Sequence, residues 1–456
     1  MLRLHAGPLS SRWIKAFKAF FNDIKELGHE VEISETRISV KSEVPRNRRG
    51  EDARKFWKRA HDRVHLSALK RDLRWIKQFE SAHRDLFIIG QDLDLNSIKP
   101  AVELANFDDQ HQRDVMTYLQ RYQTVASRKL VGRRLGLLVY DEGQKNGRPL
   151  IGAALLCSSR YYQPARDIYL QWNLQEAHSE VRKNGLSRIM QLAIVCAVPP
   201  YNRLSAAWML AALPFTEDGQ EGFAKCVSKK AKDADLAAVI ATTSMGITGT
   251  PFQQHSTRQL VGHNQSAHGA RSGGHIYERV EAPRPLLASF EALLSEGTFS
   301  ALRALYKEEG PKKDEENKPQ SKTANDLEAA RMRENRAALS FFLRRSGLHR
   351  SIFDGNEMGV HVGAIGAKTL HALRTGEARV DRPRVNKIKL METWQENFAE
   401  KTIPSKDMGP EDAAKHQEAA ERSRGKALET KLEDILLSRY CEKLEAKLAA
   451  GDATRF

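Results

Sequence analysis

Residues 135–158 read LGLLVYDEGQKNGRPLIGAALLCS. Two apolar runs, 135–140 and 150–158, flank a polar stretch that contains Asn146-Gly147. Apolar runs around an Asn-Gly turn predict a hairpin with a long loop. Downstream, residues 167–172 read as a third strand and 236–243 as a buried strand. Helices are expected over 186–198, where Pro199-Pro200 stops the run, and over 204–213. The expected fold class is α/β: a mixed sheet core with helical regions on both sides in sequence.

Upstream, Trp13, Phe17, Phe20, Ile24 and Leu27 recur at three- and four-residue steps. They predict a helix over 10–28 that stops at Gly28. The alternation of Val31, Ile33, Ile38 and Val40 predicts a short strand pair. Residues 41–84 are the most basic stretch, with 14 Lys or Arg against 6 Asp or Glu. Two apolar stripes, one through Phe56 and Trp57 and one through Leu69 and Phe79, predict two amphipathic helices there. Arg54, Lys55, Lys58, Arg59, Lys70, Arg71, Arg74 and Lys77 fall near their polar faces.

Downstream, Pro283 and Pro285 mark a boundary, and 286–306 and 327–345 read as helices. The stretch 307–325 has almost no apolar residue and reads as a linker. A long charged helix with near-heptad apolar positions is expected over 411–448. The expected organisation is a basic helical region (1–130), an α/β core (131–285), a helix and linker (286–325), a helical domain (326–402) and a charged helical tail (403–456).

The 456 residues carry 73 Lys plus Arg against 58 Asp plus Glu, a formal charge of +15. A surplus of this size favours a polyanionic partner, because each neutralised phosphate releases counterions. Cys157, Cys196, Cys226 and Cys441 stand at no CxxC spacing, which argues against a disulfide framework or a cysteine zinc site. No uninterrupted apolar stretch has membrane-spanning length, and Arg12, Lys15 and Lys18 break the apolar character of the first twenty residues. A cytoplasmic protein is expected.

Five words in the middle of the chain carry a resemblance. They are LIGAALL (150–156), ARDIYLQW (165–172), AVPPYNRL (197–204), ATTSMG (241–246) and SGGHIY (272–277). In order and spacing they resemble the Druantia anti-phage protein A family, over about residues 131–280. The resemblance implies phage defence beside a large helicase-like partner. It implies no known reaction.

Four constellations bear on chemistry. The run Arg182-x-x-Gly185-x-Ser187 is expected between a strand and a helix. That is where acetyltransferases of the GNAT fold aim backbone N–H groups and a helix dipole at the acetyl-CoA pyrophosphate. Ser187 departs from the Gly or Ala of that pattern. Arg188 would add charge to the same spot. Second, Arg166 and Asp167 read either as a buried structural clamp or, with Arg203 and Arg258, as an anion pocket. Thr243 and Ser244 at a strand end and His275 in the glycine-rich loop would join that pocket. Third, His255, His263, His268 and His275 lack zinc-type spacing, so no metal site is assigned. Fourth, residues 363–388 resemble the recognition half of a helix-turn-helix module, with Lys368, His371 and Arg374 toward DNA.

The expected function is a nucleic-acid-associated subunit of an anti-phage system, working with a helicase-like protein, without a cofactor. Self-association is left open. An acyltransferase-like enzyme binding acetyl-CoA and a non-catalytic scaffold that recruits a helicase through the tail are the alternatives.

Overall fold

The computed structural model describes residues 2–3, 10–34, 37–41, 51–122, 132–161, 163–172, 180–227, 235–243, 276–280, 293–311, 324–348, 358–364, 367–377, 385–396 and 410–453. The chain divides into two compact units, each assembled from separated segments: 1–67, 124–132 and 287–358 in the first, and 68–123, 133–286 and 359–456 in the second.

In the first unit, β1 (Leu2–Arg3), β2 (Glu30–Ser34) and β3 (Arg37–Lys41) form a small antiparallel sheet in the order β1-β3-β2. Helix α1 (Ser11–Glu26) starts at Ser10, whose hydroxyl accepts from the Trp13 N–H. Its apolar stripe, Trp13, Phe17, Phe20 and Ile24, packs with Phe56, Trp57, Leu302 and Phe342. Leu302 and Phe342 come from helices Glu296–Glu309 and Ala324–Arg345. The strongly basic stretch forms one 32-residue helix, α2 (Glu51–Ala82), not two. The two apolar stripes lie on a single helix whose first part belongs to this unit and whose end belongs to the second.

The second unit is built on a seven-stranded mixed sheet in the order β4-β5-β6-β7-β8-β10-β9. The strands are β4 (Pro100–Leu104), β5 (Arg134–Asp141), β6 (Leu150–Ser158), β7 (Ile189–Ala197), β8 (Ala238–Thr243), β9 (Tyr277–Val280) and β10 (Gly359–Gly363). Every neighbouring pair is antiparallel except β7 with β8. The hairpin expected around Asn146-Gly147 is present as β5 and β6. Almost every residue of these two strands is buried, which requires cover on both faces of the sheet. Helices α3 (Gln110–Tyr122), α4 (Pro164–Tyr169), α5 (Glu180–Ser187), α6 (Ala206–Ala212) and α7 (Glu217–Cys226) belong to this unit.

Two expected elements are exchanged in kind. Residues 167–172 are not a strand: α4 starts at Pro164, a residue suited to a first helical turn, and ends at Tyr169. Residues 189–197 are a strand, β7, and not a helix. Nine largely apolar residues between two other strands fit a buried strand as well as a buried helix, and periodicity alone does not separate them.

The tail is also not one helix. It breaks into Pro410–Leu428, Leu432–Ile435 and Leu437–Ala453, with Ile435, Leu437, Cys441 and Leu444 buried. The buried Glu80 carboxylate fastens the last of these. It accepts from the Tyr118 hydroxyl (2.8 Å), the Ser438 N–H (3.1 Å) and the Ser438 hydroxyl. A carboxylate at a helix N-terminus is favoured by the exposed N–H groups there.

In the first unit burial lowers the pKa of His29 and His61 to about 4, the latter against the pull of nearby Asp62. Above the ordinary imidazole value of 6.5 both states are neutral and neither residue weakens the fold. As pH falls from there toward 4, the unfolded chain binds protons that the folded chain refuses, so stability is lost in that window. Chemical-denaturation midpoints measured over that range should fall with acid. The double variant His29→Gln, His61→Gln should show a flatter fall.

Candidate functional site

Arg166 and Asp167 sit on α4, and Arg182 sits on α5; all three are wholly buried. Arg166 Nε donates to Asp167 Oδ1 at 2.7 Å, and Arg166 Nη2 also pairs with that oxygen. Arg182 Nη2 reaches Asp167 Oδ2 at 2.8 Å, and the Gln163 N–H donates to the same oxygen at 3.1 Å. Two guanidinium groups thus share one carboxylate. Guanidinium stays protonated in proteins, so the cluster carries a net positive charge. Burial holds the Arg166 pKa below its usual value; Asp167 opposes that fall and Arg182 adds to it.

The surplus charge is met by the segment just after β6. Arg166 Nη1 donates to Ser159 Oγ (2.8 Å) and to the Arg160 carbonyl (2.6 Å). Arg166 Nη2 and Arg182 Nη2 both donate to the Tyr161 carbonyl, at 3.2 and 2.8 Å. Trp172 closes one side: the Arg166 guanidinium lies 5.3 Å from its ring, and its Nε1 donates to the Leu373 carbonyl at 2.7 Å. The cluster is a sealed ionic core, its three charged side chains shut off from solvent.

The run at 182–187 differs from its expected placement. It lies inside α5 and leads into β7, so it does not open a helix. The Arg188 N–H is already bonded to the Gly185 carbonyl at 3.1 Å. Gly185 faces protein: a Cβ there would come within 2.3 Å of the Trp172 ring. Glycine is required by that approach.

Of the remaining pocket residues, Arg188 is committed elsewhere, to the Glu377 carbonyl (2.8 Å) and Asp235 (3.4 Å). Arg203 is exposed in the short helix Tyr201–Leu204. Thr243 is buried at the end of β8. Ser244, Arg258 and His275 lie outside the described residues, as do His255, His263 and His268.

The cations expected to meet nucleic acid divide by exposure. Lys58, Arg59, Arg71 and Arg74 on α2 are exposed; the side chain of Arg54 lies outside the description. Lys368 and His371 are exposed on the helix Ala367–Thr375, His371 beside Glu377 (3.3 Å). Arg374 on that helix is half-buried; it donates to the Tyr169 carbonyl at 3.2 Å and lies 5.6 Å from the Tyr169 ring. The next described helix is Lys387–Trp394.

A second buried carboxylate was not singled out in the sequence. Asp141 accepts from the Lys99 N–H (2.7 Å), the Gly143 N–H (3.0 Å), Gln144 Nε2 (2.9 Å) and the Tyr201 hydroxyl (2.8 Å). Its burial was signalled only by its position at the end of an apolar run. Burial and the adjacent Asp141 carboxylate raise the Tyr201 pKa and keep the phenol protonated.

Comparison with known proteins places this region. The family model described as Druantia protein DruA matches residues 51–249. A Druantia protein DruA of Escherichia coli (strain UMEA 4076-1) is 34% identical over 122 residues, covering 25% of this chain and 28% of that protein. No solved structure matches. The resemblance to the DruA family is thus found over residues 51–249, and the chain spans about a quarter of the length of the curated relative it matches. The match begins well before residue 131 and takes in α2, β4 and α3, while SGGHIY lies past its end.

The sealed cluster sets two expectations. Asp167→Asn leaves two buried guanidiniums facing each other without a counter-charge, and should cost about 3–5 kcal/mol of stability. Thermal melting of the purified variant checks this, and a melting point equal to that of the unmodified chain would contradict it. Gly185→Val should likewise lower the melting point, because the added side chain must displace the Trp172 ring.

Proposed function

We propose that the chain is a component of a Druantia-type anti-phage defence system and meets nucleic acid through the exposed cations of α2. A helicase-like protein is its proposed partner. The family match supports the system, and α2 lies within the matched residues.

The observation that carries the nucleic-acid reading is the sorting of charge along α2. From Lys55 to its end, every exposed charged residue is a cation: Lys55, Lys58, Arg59, Lys70, Arg71, Arg74 and Lys77. Asp52, near the start of the helix, is exposed, but the later carboxylates turn inward: Asp62 and Glu80 are buried, and Asp72 is half-buried and paired with Arg121 at 2.6 Å and with Arg71 at 3.4 Å. Lys70 is paired with Glu445 of the tail. Lys58, Arg59, Arg74 and Lys77 have no carboxylate partner among the described residues. A helix that merely solvates its outer face mixes both signs for i,i+4 pairing. Cations without such partners attract phosphates and release counterions from them.

The acyl-transfer alternative lacks this kind of support, since the 182–187 run lies within a helix and leads into a strand. The scaffold alternative keeps only part of its basis, because in the tail Ile435 is buried while Leu428 and Leu432 are exposed.

Reversal of Lys58, Arg59, Arg71 and Arg74 to Glu should weaken binding to DNA of any sequence. It should also flatten the dependence of log affinity on log salt, by roughly 0.9 for each duplex phosphate that the variant no longer neutralises. Fluorescence anisotropy over a salt series is the measurement. A slope that the four reversals leave unchanged would remove α2 from the interface.

A further inference from the structure

Tyr161 is 46% exposed, an unusual state for a large aromatic residue held as firmly as this one. Its main chain belongs to the segment on which the buried arginine cluster converges. Four guanidinium hydrogen bonds fix residues 159–161, two of them on the Tyr161 carbonyl itself. The Arg182 guanidinium also lies 5.0 Å from the Tyr161 ring centroid. Because Arg182 is wholly buried, solvent reaches the ring from the side away from the guanidinium.

The surroundings of the ring are cationic. Arg160, adjacent in the chain, is exposed. Lys183, next to Arg182 on α5, is also exposed and is paired with Glu180 at 2.8 Å. Glu180 offsets Lys183, but Arg160 and the surplus charge of the Arg166–Asp167–Arg182 cluster disfavour a cationic ligand. A flat, electron-rich ring carried on an anionic chain suits both features. The guanidinium draws the π-density of Tyr161 toward itself, which favours an electron-rich partner on the solvent side. The flanking cations suit phosphate.

We propose that Tyr161 is a stacking platform for an unpaired nucleobase, with Arg160 and Lys183 meeting the flanking phosphates. The inference rests on the nucleic-acid reading above and adds the form of nucleic acid: a single-stranded or locally opened segment, since a base stacked within a duplex offers no accessible face. The buried cluster then has a consequence at the surface, because it holds the ring ready before the ligand arrives. Pre-organisation of this kind reduces the ordering cost of binding.

The test uses the full chain and four labelled probes of equal length: single-stranded DNA, single-stranded RNA, duplex DNA, and an abasic deoxyribose-phosphate strand. Tyr161→Ala should weaken binding to the base-containing single strands by about 5- to 150-fold, the usual effect of removing one stacking aromatic. Tyr161→Phe should retain it. The abasic strand and the duplex should bind Tyr161→Ala as they bind the unmodified chain, and the salt slope should stay the same. The DNA and RNA arms identify the sugar. If Tyr161→Ala lowers the melting point, Tyr161→Leu, which keeps apolar bulk without a π face, carries the comparison.

Single-strand affinity that neither variant reduces overturns the platform. So does an equal fall in affinity on the abasic strand, which would assign the effect to phosphate. In both cases salt-dependent binding through α2 would persist, so that reading survives. If none of the four probes binds the unmodified chain, both readings fail together.

Discussion

Burying two guanidinium groups around one carboxylate constrains the second unit more than any other single interaction. Arg166, Arg182 and Asp167 have no solvent to screen them. Each charge removed from water costs several kcal/mol unless its partners are close and well aligned. Asp167 alone cannot serve both arginines, so the chain must bring carbonyl oxygens to the remaining donors. Residues 160 and 161, directly after β6, supply them to Arg166 Nη1 and Nη2 and to Arg182 Nη2. Meeting that requirement positions α4 against α5, sets the Trp172 ring over Arg166, and leaves room at residue 185 only for glycine. Through Trp172 Nε1 and the Leu373 carbonyl, it also ties in a helix some two hundred residues later in the chain.

Arginine fills the same role repeatedly. Arg133 donates to the carbonyls of Leu186, Ser187 and Ile189, at the passage from α5 into β7. Arg188 reaches the Glu377 carbonyl, Arg374 that of Tyr169, and in the first unit Arg63 that of Glu26. A planar fork with five donors can satisfy several carbonyls where a helix ends, which a lysine ammonium does less well. The buried carboxylates of Asp141 and Glu80 use the complementary solution. Neutral donors hold the charge: backbone N–H groups, a glutamine amide and tyrosine or serine hydroxyls.

The parts legible in the sequence are those whose signal is local. Helix α1, the β2–β3 pair, the β5–β6 hairpin and β8 follow from spacing, alternation and an Asn-Gly turn. The misreadings arise where burial decides. The short, mostly apolar run 167–172 read as a strand, and hid α4. Strand β7 turns alternate residues to a half-buried face, but Ala193, Val195 and Ala197 on that face are apolar, so the sequence does not reveal its period. The pairing of Arg166 with Asp167 was readable as a clamp because the residues are adjacent. Arg182 was not, because only the fold brings it to the same carboxylate. The words ARDIYLQW and AVPPYNRL, which carried the family resemblance, prove to hold Asp167 and the Tyr201 partner of Asp141. Their residues build the core of the second unit.

Formal charge alone therefore says little about where a polyanion would bind. Of the arginines in the middle of the chain, Arg133, Arg166, Arg182, Arg188 and Arg374 spend their donors on main-chain carbonyls or on internal carboxylates. They add to the net charge of +15 but offer a phosphate little. The cations of α2 contribute to the same total from exposed positions. What separates the two sets is the fate of the acidic residues. Along α2 beyond the exposed Asp52, the carboxylates are drawn wholly or partly inward, where Glu80 fastens a tail helix and Asp72 holds Arg121. The outward face from Lys55 onward carries cations, of which Lys70 and Arg71 are paired with Glu445 and Asp72. Folding of the acidic residues, more than the number of basic ones, makes that face a surface for phosphate.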